Sequence, residues 1–329
     1  MWKKQGWGED LAFPTGMNGR GFIHLLHDGC QLPVYRAQER RVSRVIVGWL
    51  PFMRMFSGFL SGLSLALALA LYGSTPTCAA TPDTVDFADL TWTEIRDAIH
   101  AGDTTIILPV GGTEQSGPYI AVGKHDVRAM VLARRIARDA GHALVAPVVA
   151  YVPEGGTSPR TSHMRFSGTI SITPATFRAL LSDAAESFRV QGFRRVVLIG
   201  DHGGYQKDLR AVADTLNRRW QGQGAHVLYV ANYYDVVPGA YSTWLRQHGH
   251  AAEVGMHADL SDTSLTLALD PDLVRTQALR AAPLPTAAQG VYGGDPRQAS
   301  AALGQVGANM QVAAAVAAMQ HDPTGQNPH

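Results

Sequence analysis

Short apolar runs that end in polar, glycine-flanked loops constrain the fold of this chain more than any other feature. The run over residues 106–110 leads to a loop with Glu114 and His125, and the run over residues 196–199 leads to His202. Continuous apolar strands are typical of parallel sheets that are buried on both faces. Helix patterns follow the strands, so we predict an α/β protein with a mostly parallel sheet covered by helices on both faces.

Start and stop signals set the approximate bounds of these elements. Thr173 is a helix cap, Pro174 occupies the first helical position, and Gly192 ends the same helix. The predicted strands cover residues 104–110, 143–149, 195–199 and 226–231, and the predicted helices cover residues 126–140, 174–191 and 206–220.

Glu114, His125 and His202 are the candidate metal ligands. The ends of parallel strands open on one edge of a sheet, so residues far apart in sequence converge there. Carboxylate and imidazole groups are suitable ligands for a divalent ion, and the flanking glycines let the backbone come close to it. The three residues therefore indicate a metal-dependent enzyme, with zinc favoured and manganese or iron(II) as alternatives.

A third polar cluster, residues 257–264, contains His257 and Asp262. These two side chains either activate water and hold substrate, or form a loop hydrogen-bond pair with Thr263 and Ser264. Asp126 also has two interpretations. It is either the cap of the following helix or, if the ligand position is shifted by one residue, a metal ligand in place of His125.

Four motifs occur in an order that resembles the creatininase (creatinine amidohydrolase) family, from about Asp86 to about Met319. They are Gly112-Thr113-Glu114-Gln115-Ser116-Gly117-Pro118, His163-Met164-Arg165-Phe166-Ser167-Gly168-Thr169-Ile170, Gly200-Asp201-His202-Gly203-Gly204 and His257-Ala258-Asp259-Leu260-Ser261-Asp262-Thr263-Ser264. The resemblance implies a three-layer α/β/α sandwich whose last helix is alanine-rich and runs through Met319.

The resemblance also implies metal-assisted hydrolysis of a small amide, cyclic amide or formamide, an attack on non-peptide C–N bonds. Metal-bound water would be the nucleophile. His257 and Asp262 are the candidates for proton transfer, and His163, Tyr233 and Tyr234 are the candidates for substrate contact. A lactone or cyclic-ketone hydrolase would use the same chemistry and stays open.

Three departures from the family pattern affect the metal count. Two-metal members of the family have a histidine, a bridging aspartate and a glutamate where this chain has Ser116, His125 and Gly204. Serine and glycine do not replace such ligands, so we expect one ion per chain. The same departures motivate a second hypothesis. The chain would then be a secreted small-molecule binding protein that has this fold but no catalytic activity.

Other catalytic classes have little support. No Gly-x-Ser-x-Gly motif surrounds Ser116, and residues 111–117 lack the ending of a phosphate-binding loop. The 329 residues carry 28 basic and 27 acidic side chains, a balance that gives no case for nucleic acid or acidic lipid as a partner. We expect a small-molecule substrate and a homo-oligomer.

The segment over residues 56–72 is continuously apolar or small, follows Arg54, and leads to small residues before Ala80. This pattern predicts an export signal cleaved near Ala80, with Met53 or Met55 as the true start and the mature protein in the periplasm or secreted. A retained membrane anchor is the alternative. Residues 1–80 are thus an extension and signal, residues 81–319 one enzyme domain, and residues 320–329 a disordered tail.

Cysteine usage agrees with this division of the chain. Cys30 and Cys78 both precede the proposed cleavage point, so the mature enzyme would contain no cysteine. Disulfide, thiolate–metal and cysteine-nucleophile chemistry are therefore not expected.

Overall fold

Four parallel strands form the centre of the fold. The computed structural model describes residues 82–322. Its strands are β1 (Thr105–Val110), β2 (Ala143–Val145), β3 (Arg195–Gly200) and β4 (His226–Tyr229). They lie in the order β2-β1-β3-β4, and Ile107 of β1 is in register with Val145 on one side and Val197 on the other.

Nine α-helices accompany this sheet within the described residues. They are α1 (Trp92–His100), α2 (Lys124–Ala140), α3 (Pro174–Gln191), α4 (Gln206–Arg219), α5 (Ala231–Asp235), α6 (Ser242–Leu245), α7 (Leu260–Leu269), α8 (Thr276–Ala281) and α9 (Ala301–Gln320). A five-residue π-helix, Val237–Tyr241, precedes α6, and the segment Arg246–His250 that follows α6 leaves helical geometry at His248 and Gly249.

Successive strand residues point to opposite faces of the sheet and build two separate cores. Ile106 packs with α3 and α4 in one cluster, whereas its neighbour Ile107 packs with α2, α7 and α9 in the other. Val196 and Val197 of β3 divide in the same way. The sheet is therefore buried on both faces, which confirms the predicted α/β sandwich.

Local signals explain several element boundaries. The Thr173 hydroxyl accepts a hydrogen bond from the Thr176 amide at the start of α3, and Gly192 ends that helix with φ +113°, a left-handed conformation that favours glycine. The prediction of this helix is confirmed. In α2 the cap is Gly123, not Asp126, and the Asp126 carboxylate instead accepts a hydrogen bond of 2.8 Å from the Gly112 amide.

Two strands are shorter than predicted. The prediction extended β2 to residue 149, but the regular strand ends at Val145 because Pro147 has no amide hydrogen to continue the ladder. Val149 returns only as an isolated bridge to Val110. Likewise β4 ends at Tyr229, and Ala231 already begins α5.

No helix among residues 82–322 combines the length and apolar character needed to cross a membrane. The apolar segment over residues 56–72, Met53, Met55 and the cleavage point near Ala80 all lie outside the described residues. The export prediction therefore stays a prediction. The predicted disordered tail over residues 320–329 begins too early, because Gln320 ends α9 and Asp322 is buried with its Oδ2 2.6 Å from Nε2 of His226; the rest of that tail lies outside the described residues.

The long helix α9 crosses α7 at a glycine. A Cβ atom built on Gly304 would lie 1.8 Å from the carbonyl oxygen of Ser264, and one on Gly307 would lie 2.8 Å from the ring of Tyr241. Because a backbone carbonyl cannot give way as a flexible side chain does, α9 can pack this closely only with glycine at 304.

Gly304→Ala should therefore destabilise the protein by about 1–3 kcal/mol through overpacking, seen as a lower midpoint of thermal unfolding by circular dichroism. Gly239→Ala is the matched control, because nothing lies within 4 Å of the Cβ position there. Equal unfolding midpoints for the two variants would contradict the proposed tight crossing.

Candidate metal centre

Loops that follow β1, β2 and β3 meet at the carboxyl edge of the sheet. Glu114 comes after β1, Glu154 after β2 and His202 after β3. The Tyr205 hydroxyl ties the loops after β1 and β3 together, because it lies 2.9 Å and 2.6 Å from the carbonyl oxygens of Val110 and Gly111 and accepts a hydrogen bond from the His202 amide. The sheet edge thus positions the side chains predicted to converge.

Glu114 is fully buried at the centre of this edge, and its two oxygens have different surroundings. Oε1 accepts a hydrogen bond of 2.8 Å from His125 Nε2 and lies 3.7 Å from Lys124 Nζ. Oε2 makes no hydrogen bond within the described residues, although the Nε2 atoms of His163 and His202 lie 3.2 Å and 3.3 Å away. Burial opposes the charge of Glu114, but His202, His125 and Lys124 outweigh it and hold its pKa well below the usual value.

Glu154 is a second buried carboxyl group, and neither of its oxygens has a hydrogen-bond partner within residues 82–322. Its Oε1 lies 3.4 Å from Nδ1 of His202. Burial raises the pKa of Glu154 to about 9, and the negative charge of Glu114 adds to the rise. Oε2 of Glu114 and both oxygens of Glu154 thus lack donors in one buried site, an arrangement that favours a positive charge between them.

The side chains of Glu114, Glu154, His163 and His202 fit a divalent ion. One ligand atom from each lies within 4.8 Å of the other three. Burial lowers the pKa of His202 to about 3 and that of His163 below its usual value, so both rings offer uncharged nitrogen atoms. Two carboxylates and two imidazoles are a donor set suited to zinc, manganese or iron(II).

The structure brings the three predicted ligands together but gives them different surroundings. Glu114 and His202 belong to the four-residue cluster, whereas His125 lies on its other side, with Nε2 on Glu114 and Nδ1 2.6 Å from Oδ2 of Asp201. Burial and Lys124 oppose the charged form of His125, but its hydrogen bonds to these two carboxylates raise its pKa. His125 as a direct ligand stays a prediction.

Sequence reasoning missed Glu154, although a signal was present. Glu154 follows the apolar run that contains β2 and precedes two glycines, the same context that singled out Glu114 and His202. Gly112, with φ +144°, leaves space for it, because a Cβ there would lie 2.8 Å from Oε1 of Glu154. His163, predicted only to contact substrate, belongs to the same cluster.

Two buried cations on the first turns of α2 hold Asp262. Lys124 Nζ contacts Oδ2 of Asp262 directly, and Arg128 Nη1 donates a hydrogen bond of 2.6 Å to Oδ1. Arg128 Nε also lies 3.1 Å from Oδ2 of Asp201. Burial opposes the charge of Asp262, but Lys124 and Arg128 outweigh it and hold its pKa well below the usual value.

His257 presents one free ring nitrogen to the site. Its Nε2 lies 2.9 Å from the backbone carbonyl oxygen of Gln115 and 3.2 Å from the side-chain amide nitrogen of the same residue. The shorter contact is to an atom that only accepts, so we assign the proton to Nε2 and the lone pair to Nδ1. Nδ1 lies 3.7 Å from Oε1 of Glu114. Burial, and then Lys124, lower the pKa of His257 to about 4, so the ring is neutral at pH 7 and its Nδ1 lone pair is unprotonated.

A cleft of about 300 Å³ opens onto this edge. It is lined by His125, Arg128, His163, Asp201, His202, Gly203, Tyr234, Val237, Met256, His257, Asp259, Ser261, Asp262 and Tyr292. Of the predicted substrate contacts, His163 and Tyr234 line the cleft. Tyr233 does not, because it is buried in the core and its hydroxyl donates to Oδ1 of Asp201.

The positions of Ser116 and Gly204 agree with their small side chains. Ser116 is buried away from the cleft, beside a small cavity that Ala258 and Thr263 also line. Gly204 contributes no side-chain ligand, and its amide donates to Nδ1 of His202. As expected from the sequence, neither residue supplies an imidazole or carboxylate ligand.

Comparison with known proteins identifies the family of this chain. The model of the creatininase (creatinine amidohydrolase) family matches residues 88–319. Creatinine amidohydrolase of Pseudomonas putida is 32% identical over 193 residues, which are 56% of this chain and 72% of that enzyme. Mycofactocin precursor peptide peptidase of Mycolicibacterium smegmatis is 30% identical over 186 residues, 55% of this chain and 64% of the peptidase.

Solved structures agree with the sequence comparison. A crystal structure of creatinine amidohydrolase superposes with a TM-score of 0.62 at 26% identity and covers 74% of this chain and 99% of its own. A creatininase structure described as a manganese form has a TM-score of 0.61 at 26% identity and covers 73% of this chain and 98% of its own. Another, described as a Zn-Zn type, has a TM-score of 0.60 at 27% identity and covers 73% of this chain and 99% of its own. With its family match spanning most of its length, this chain belongs to the creatininase family.

Proposed function

We propose that this protein is a metal-dependent hydrolase of a small amide, cyclic amide or formamide. The observation that carries the proposal is the buried cluster of two carboxyl groups and two neutral imidazoles beside a cleft of about 300 Å³. Carboxyl oxygens that lack hydrogen bonds are costly to bury unless a cation or a donor meets them. A divalent ion held there would supply Lewis acidity and an ionisable water.

The ligands we propose are Glu114, Glu154, His163 and His202. His125 then acts from the opposite side of Glu114, where its hydrogen bond orients the carboxylate. Zinc is the proposed ion, with manganese or iron(II) as alternatives, and the manganese and Zn-Zn creatininase structures support the first two.

Proton transfer is assigned to His257. Its Nδ1 carries a lone pair, faces Glu114, and belongs to a neutral ring that lines the cleft. Asp262 also lines the cleft, but Lys124 and Arg128 hold it in the charged form. We therefore propose that Asp262 positions the loop of His257, where its Oδ2 accepts a hydrogen bond of 3.0 Å from the Ala258 amide.

The cleft favours a compact substrate. Its lining combines the aromatic side chains of Tyr234 and Tyr292 and the apolar Val237 and Met256 with polar groups that include His257 and Asp262. Such a site buries a small ring and leaves its carbonyl toward the polar groups. We also propose an exported enzyme in the periplasm or outside the cell, and a homo-oligomer, from the sequence pattern alone.

Hydrolysis of a peptide amide is a second candidate function. The peptidase from Mycolicibacterium smegmatis, at 30% identity, is the observation that favours it. Both candidates use the same centre and differ in the size of the substrate that enters the cleft.

Activity of the purified protein tests the proposed function. Chelator-treated enzyme should be inactive, and zinc, manganese or iron(II) should restore hydrolysis of a member of a panel of cyclic amides, formamides, lactones and short peptides. A product from peptides alone would favour the second candidate. A ligand that still binds after chelation, with no turnover on any substrate, would instead indicate a binding protein.

Metal binding should release about one proton per ion at pH 7. Glu154, with a pKa of about 9 in the metal-free protein, is protonated at that pH and must ionise to bind, whereas His163 and His202 are already neutral. Calorimetry in two buffers of different ionisation enthalpy measures the release. Glu154→Gln should abolish it, and a wild-type heat of binding independent of the buffer would argue against Glu154 as a ligand.

His257→Asn should lower kcat by about 10²- to 10⁴-fold, since a general base typically contributes that much. Metal content should not change, because His257 lies outside the four-residue cluster. His100→Asn, on the exposed end of α1, is the matched control. Loss of metal together with activity in His257→Asn would make this residue a ligand instead of a base.

A further inference from the structure

Lys124 is the most unusual side chain of the site, because a lysine ammonium is fully buried beside the candidate metal ligands. Lysine is rarely buried unless it is paired. Lys124 has two acidic partners: its Nζ contacts Oδ2 of Asp262 directly and lies 3.7 Å from Oε1 of Glu114. The ammonium thus lies between two carboxylates, a place where a metal ion commonly lies.

The two oxygens of Glu114 separate this ammonium from the candidate metal position. Oε1 faces Lys124, His125 and His257, whereas Oε2 has no hydrogen bond and faces His163 and His202. One carboxylate therefore connects a positive group supplied by the protein with the cluster that fits an ion.

We propose that the Lys124 ammonium is a resident protein cation that takes the place of a second metal ion and limits the centre to one. The inference rests on the proposed metal centre. A dication at Oε1 of Glu114 and Oδ2 of Asp262 would meet the ammonium at contact distance, and like charges repel more strongly in a largely buried site than in water. One solved relative is described as a Zn-Zn type, so the fold can hold two ions.

Removing the ammonium should expose a second cation site. Glu114 Oε1 and Asp262 Oδ2 both border the Lys124 ammonium, and Nδ1 of His257 lies 3.7 Å from the same Oε1 atom. Two carboxylate oxygens and a neutral imidazole are ligands that a divalent ion accepts. Lys124 acts through these groups as a positioning residue, because its own side chain has no exposed surface.

The test counts the ions bound by the full chain without any substrate. Chelator-treated wild type and Lys124→Ala are titrated with cobalt(II), followed by visible absorption, calorimetry and elemental analysis. Wild type should saturate at one equivalent and Lys124→Ala at two, whereas Lys124→Ala with Asp262→Asn should return to one. Lys207→Ala, the exposed lysine of α4, is the matched control and should keep one ion.

Each outcome decides between distinct conclusions. If the wild-type protein binds no ion, the proposed metal centre itself is wrong. If wild type and folded Lys124→Ala each bind one ion, only the proposed role of Lys124 is wrong. Two ions in wild type would also contradict that role. Should Lys124→Ala not fold alone, its melting with excess cobalt(II) decides: recovery with two ions bound supports the proposal, and failure to recover overturns it.

Discussion

The burial of the Glu114 carboxylate is the constraint on which the rest of the site depends. An isolated ionised carboxylate inside a protein is very costly, so every group around it must offset that cost. His125 and Lys124 do so at Oε1, while Oε2 faces two neutral imidazoles and a second carboxyl group, Glu154. Half of the carboxylate is thus satisfied by the protein, and the other half fits an ion.

The start of α2 departs from the ordinary preference of helices. The amino end of a helix favours negative side chains, yet Lys124, His125 and Arg128 occupy its first turns and Asp126 alone there is acidic. Lys124 and Arg128 are four residues apart and share one face, where both reach Asp262 near the amino end of α7. Local rules of this kind are broken mainly at functional sites, and acidic groups from neighbouring elements compensate here.

Much of this arrangement could be predicted from sequence. The strand-then-loop pattern located Glu114 and His202, because parallel strands carry their following loops to one edge. The same pattern could have located Glu154. It could not show that His125 would contact the Oε1 oxygen of Glu114. Nor could it show that Tyr233 would face the core while its neighbour Tyr234 lines the cleft. Those outcomes depend on the orientation of short elements such as α5, which hydrophobic periodicity does not fix.

A centre with one ion divides the chemistry differently from a centre with two. Two ions can stabilise the attacking and leaving groups of a reaction together, whereas one ion leaves proton delivery to a side chain. An ammonium supplies charge but no open coordination position, so Lys124 can hold Glu114 and Asp262 in place without activating water. In the proposed function, proton transfer then falls to the Nδ1 lone pair of His257, whose ring contacts a backbone carbonyl through Nε2 and not a carboxylate.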